Sequence, residues 1–139
     1  MQLITDRTKN DVLFGTKKGR YSAADLNRVE NAVAELVDIA RKIGANKTIM
    51  VKTDWDIPGP FSNGKWPTKG QMERYLNNVM YLCSLVELQS NLPKSMEKLT
   101  YNGANAIEQS LEIVYEQIQK ILKTLRYSGE FFAGEESYL

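Results

Sequence analysis

The sequence predicts an all-α domain: three main helices in a bundle, with an extended arm, a proline-rich loop and a C-terminal docking tail. Three observations carry this. Apolar residues recur at three- and four-residue steps in three separate windows, the period of a helix with one buried face. Each window opens on a serine or threonine suited to cap a helix N-terminus. Proline and glycine gather between the windows rather than inside them. The expected layout is a single helical domain over residues 1–139, with a leader arm at 1–21, helices at 22–43, 69–89 and 101–127, and a tail at 128–139.

In the leader, Asp6 to Leu13 is compatible with a short helix, and Gly15-Thr16-Lys17-Lys18-Gly19 with a turn. The first long helix begins after Ser22, where Ser22 and Asp25 approximate a capping box. Leu26, Val29, Val33, Leu36, Val37 and Ala40 then form its apolar stripe, and Gly44 suits its C-terminus. Thr48 to Thr53 reads as extended, and a lone strand must find a partner in the leader or in another chain. Residues 54–67, with Pro58, Pro60 and Pro67, form a loop. Thr68 and Gln71 make a second capping box. Met72, Leu76, Val79, Cys83 and Val86 continue it to an end expected near Ser90-Asn91-Leu92-Pro93. After Thr100, residues Ala104, Ile107, Leu111, Val114, Ile118, Ile121 and Leu125 alternate steps over three heptads, a seam for an antiparallel bundle or for a partner.

An internal repeat links the first and third helices. Aligning Ser22 with Thr100 places Asn27 on Asn105, Val29 on Ile107, Glu30 on Glu108 and Asn31 on Gln109. Similar packing of the first turns explains this most simply; duplication of a helical hairpin is the alternative.

Composition narrows the function. Eighteen basic against seventeen acidic residues leave a charge of +1, unlike a dedicated nucleic-acid binder. Histidine is absent, which removes the usual general base and zinc ligand together. Cys83 is the one cysteine, so it can form no disulfide within the chain, and on an apolar stripe it reads as core. No run of about 20 apolar residues could cross a bilayer, and the N-terminus does not read as a secretory signal, so cytoplasmic synthesis is expected. No cofactor or metal is expected.

Asp54-Trp55-Asp56 is weighed as a carboxylate pair or metal site and preferred as a structural loop that Trp55 anchors onto the core. The basic loop at 15–20 lacks the order of a phosphate-binding loop. Asn27, Asn31, Asn77, Asn78 and Asn105 are read as interhelical or cap hydrogen bonds rather than an active-site cluster. Phe131 and Phe132 either dock on a partner or cap the bundle end. Candidate partner contacts are Ile49, Val51, Trp55, Phe131, Phe132, Tyr138 and Leu139, with strand addition by residues 48–53 as one mode.

Several ordered blocks carry a resemblance: Asp6-Arg7-Thr8, Tyr21 through Glu30, Thr53-Asp54-Trp55, Pro67 through Arg74, Leu92-Pro93, Leu99 through Glu108, and Arg126 through Glu130 with Gly134-Glu135. In these the chain resembles, almost end to end, a small family of tail- or baseplate-associated structural proteins of Gram-positive bacteriophages, prophages and phage-tail-like particles. The resemblance implies a non-enzymatic virion protein, a baseplate or tail-fibre adaptor. Its partners would be other tail or baseplate subunits or a second copy of itself, with no nucleic acid and no membrane insertion. It brings no catalytic residues. Rival readings are a head–tail connector or other virion component, a cytoplasmic regulatory or nucleic-acid-binding helical protein, and a hydrolase using Asp54 and Asp56.

Overall fold

The computed structural model describes residues 1–58 and 63–132, with side chains followed as far as Arg126. Its helices are α1 (Lys9–Leu13), α2 (Ala23–Ala40) prolonged by a 3-10 turn (Arg41–Ile43), α3 (Lys69–Leu85) and α4 (Tyr101–Phe132). The capping signals operate as read. The Asp25 carboxylate accepts the Ser22 amide at 2.7 Å, and Thr68 and Gln71 exchange hydrogen bonds across the first turn of α3. The 3-10 turn closes on Gly44 at φ 100°, a left-handed position that favours glycine.

Two boundaries differ from the sequence reading. Helix α3 stops at Leu85 rather than 89, because Glu87 turns left-handed at φ 54° and the Leu88 amide returns to the Cys83 carbonyl at 2.9 Å. Helix α4 continues to Phe132 instead of ending at 127. Gly129 alone costs a helix about 1 kcal/mol, too little to stop it. Phe131 and Phe132 therefore belong to α4 and not to a separate tail; residues 133–139, with Tyr138 and Leu139, lie outside the described residues.

The three long helices run in the same direction, which corrects the antiparallel bundle. Arg28 near the start of α2 meets Glu108 near the start of α4, and Arg74 near the start of α3 meets Glu30 of α2. The turn at Arg41–Ile43 still packs on α4, so α2 and α4 stay together over the length of α2. Parallel neighbours need long return connections, and residues 44–68 and 86–100 provide them. Among the described residues no strand forms. The expected strand pairing of 48–53 is replaced by side-chain donors: Arg74 Nη1 and Asn78 Nδ2 each reach the Met50 carbonyl at 2.8 Å.

The core lies where the stripes meet. Val29 and Leu36 of α2, Val79 and Leu82 of α3, and Ile107, Leu111, Val114 and Ile118 of α4 are fully buried. Helix α4 starts level with α2 but has 32 residues, so its last turns extend beyond the bundle, and Leu125 there is half exposed. Helix α1 buries nothing; it is a surface turn held by the Thr8–Asp11 capping box. Gly19 passes so close to this turn that a Cβ would stand 2.2 Å from the Asp11 carbonyl oxygen.

Replacing Leu111 by alanine empties the centre of this core and is expected to destabilise the fold by about 2–5 kcal/mol, read from urea unfolding midpoints. A loss below about 1 kcal/mol would mean that α4 is not packed as described.

Candidate functional site

The most elaborate chemistry in the molecule is a pair of matching polar brackets, each clamping a connecting segment onto a helix. In the first, the Asn105 side chain of α4 accepts the Arg7 backbone N–H at 3.1 Å and donates to the Arg7 carbonyl at 2.9 Å. One turn on, Glu108 takes the Arg7 guanidinium at 2.7 Å and is held from its other side by Arg28 of α2 at 2.7 and 2.9 Å. Asp25 completes the group, 2.6 Å from Arg28 and 3.4 Å from Arg7.

The second bracket repeats the first on α2. Asn27 accepts the Trp55 backbone N–H at 2.6 Å and donates to the Trp55 carbonyl at 3.1 Å. Glu30 takes the Trp55 indole N–H at 2.6 Å and a two-pronged Arg74 from α3 at 2.7 and 2.8 Å. The clamped segments themselves match, Thr5-Asp6-Arg7-Thr8 against Thr53-Asp54-Trp55-Asp56, and each clamping arginine stands six residues after its helix cap. Glu30 and Glu108 are both fully buried, and among the described residues no buried side-chain polar atom lacks a hydrogen-bond partner.

Between the brackets the Tyr21 and Tyr75 hydroxyls are hydrogen-bonded to each other. Burial drives both phenols' pKa well above the ordinary tyrosine value, and the nearby Glu108 carboxylate pushes in the same direction. Donating to Glu108 keeps Arg28 more firmly protonated, and donating to Glu30 does the same for Arg74. Burial raises the Cys83 thiol, the opposite of what a nucleophile needs.

The candidate contact residues separate in space. Trp55 moves from the partner set to the core: it is 5% exposed, its indole N–H is taken by Glu30, and Lys52 lies over its ring. Ile49 packs partly against the core, whereas Val51 is exposed. Asp54 faces solvent and pairs with Lys52, whose hydrogen bond lowers its pKa, and no cluster of three metal-ligating side chains occurs among the described residues. The loop at 15–20 folds back on the leader, with Lys18 near Asp6 and Asp11. Exposed large apolar groups include Val12 and Leu13 in α1, Phe14 at its end, Met50 and Trp66; Met80, expected from its spacing to widen the buried sector of α3, is also exposed.

One sizeable cleft, of about 730 Å³, opens at the start of α3. Leu26, Met72 and Leu76 line it as its floor, Trp66 stands at its edge, and Lys94, Ser95, Met96, Glu97 and Leu99 line the facing side. Sequence reading missed the brackets because their partners lie up to 104 residues apart. The signal available was the repeated Asn-x-x-Glu, which places a carboxylate inside an otherwise apolar sector. Compared with family models, curated proteins and solved structures, the chain finds no match.

Replacing Glu108 by glutamine leaves Arg7 and Arg28 to share Asp25 as their one remaining carboxylate and is expected to cost about 3–5 kcal/mol in urea unfolding. Replacing Asn105 by alanine strands the Arg7 amide and carbonyl and should cost about 2–6 kcal/mol, from about 1–3 per buried group. A phenol whose folded pKa exceeds its unfolded value stabilises the fold fully below about pH 10 and progressively less as the pH rises above it. Ultraviolet titration should therefore show Tyr21 and Tyr75 ionising only together with unfolding, and replacing both by phenylalanine should remove that component.

Proposed function

We propose that this chain is a non-enzymatic structural subunit of a phage tail or phage-tail-like particle, a baseplate or tail-fibre adaptor that holds neighbouring subunits. It is made in the bacterial cytoplasm and functions once assembled. One observation carries the reading: the residue blocks on which the family resemblance rests converge on the two brackets. Arg7, Tyr21, Asp25, Asn27, Arg28, Glu30, Trp55, Arg74, Asn105 and Glu108 all belong to those blocks, and all are engaged in holding segment to helix. The resemblance is thus a resemblance of scaffolds, since its chemistry is spent inside the chain.

What remains for function is surface. Phe14 is 79% exposed and Trp66 68%, far more than large aromatics usually are, and such groups commonly anchor protein–protein contacts. Balanced charge suits docking among proteins rather than along nucleic acid.

Mass spectrometry of purified particles should find this polypeptide at fixed stoichiometry, and electron microscopy should place it in the tail. Replacing Phe14 and Trp66 by aspartate should leave thermal unfolding nearly unchanged while depleting the protein from particles. Particles free of the polypeptide, or substrate turnover by the purified chain, would defeat the proposal.

A further inference from the structure

Each long helix is preceded by a segment that lies along the bundle, but only two of the three segments are bracketed. Residues 1–21 are clamped by Asn105 and Glu108, and residues 44–68 by Asn27 and Glu30. The corresponding positions of α3, five and eight residues after its cap, are Glu73 and Leu76, which cannot reproduce the clamp. Residues 91–99 accordingly make no backbone or side-chain hydrogen bond to a helix core among the described residues; the bond within them runs from the Glu97 amide to Ser95 Oγ. This segment rests on α4, where Pro93 and Leu99 approach Gly103, and stands away from α3 across the cleft.

We infer that residues 91–99 form a charged latch that closes onto the start of α3. The segment returns from the end of α3 toward its start, so it runs antiparallel to that helix. Lys94 and then Glu97 on the segment therefore face Glu73 and then Lys69 on α3, and all four line the cleft. Three extended residues span about 10 Å and one helical turn about 6 Å, a match that side chains of this length absorb. Both facing pairs are of opposite charge. In this structure none of the four belongs to an ion pair among the described residues.

The ends of the segment supply the pivots. Glu87 and Lys98 are the two non-glycine residues with left-handed backbone among the described residues, each at φ 54°. Such conformations are uncommon for these residue types, and they bracket the connection on both sides. The lining of the cleft includes Met72, Met80 and Met96, unbranched side chains that repack readily when a wall moves. Closure brings Lys94 to Glu73 and Glu97 to Lys69 and covers the floor; opening restores the cleft seen here. This inference is independent of the tail-particle reading.

Acrylamide quenching of the two tryptophans in the full chain tests it, since Trp66 lines the cleft and Trp55 is buried. Exposed ion pairs contribute little each, so raising the salt to about 0.5 M should make Trp66 roughly two-fold easier to quench, while Trp55 stays protected. Glu73→Lys alone should produce the same increase at low salt, and Glu73→Lys with Lys94→Glu should reverse it. Should Glu73→Lys fold poorly, Lys94→Glu and Glu97→Lys, both outside helices, carry the same comparison. Quenching that ignores salt and all three substitutions, or a charge-swapped pair no better than its singles, would overturn the latch.

Discussion

An ionised carboxylate inside a helical core costs several kcal/mol unless its oxygens are matched by donors, and besides Asp25 this chain buries Glu30 and Glu108 almost completely. Each is satisfied by an arginine from a neighbouring helix and by a side chain from a segment that is not helical at all. The consequence is specificity rather than raw stability. Apolar stripes can slide against one another with modest loss, whereas a guanidinium fork and an asparagine clamp fit one register. The brackets thereby fix which segment lies on which helix.

They also answer an electrostatic difficulty. Parallel helices bring their positive N-terminal ends together, an arrangement that aligned dipoles oppose. Asp25 places negative charge in the first turn of α2, where it is most favourable, and Glu30 and Glu108 follow about one turn further along α2 and α4. Arg7, Arg28 and Arg74 then neutralise what the dipoles do not. The polar layer and the parallel layout are thus two sides of one solution.

Much of the fold was legible in the sequence because a helix announces itself locally. Ser22-x-x-Asp25, Thr68-x-x-Gln71 and the stripe from Ala104 to Ile118 depend on neighbours three and four residues away, and all three helices lie where those patterns put them. Direction was not legible, because an amphipathic period is the same read up or down. The long connections were the available clue. The end of α3 was misplaced because Pro93 is a loud signal and a left-handed Glu87 a silent one. Of the site, the Asn-x-x-Glu repeat was visible as a pattern, but its meaning required Arg7 and Trp55, which arrive from far along the chain. Trp55 illustrates the ambiguity: an aromatic on a loop reads equally as a contact for a partner or as a plug for its own core, and only the acceptor beneath its indole decides.

The parallel arrangement carries a kinetic consequence. In an up-and-down bundle each helix meets the next through a short loop, so most contacts are local and folding is fast. Here α2 cannot settle against α3 until residues 44–68 have looped back, and the leader finds its seat only when α4, about a hundred residues later, exists. On a ribosome adding residues from the N-terminus, Arg7 must wait for Asn105 and Glu108 to emerge. The leader is thus among the later segments to find its native place, and the first bracket stays open until the start of α4 has been made.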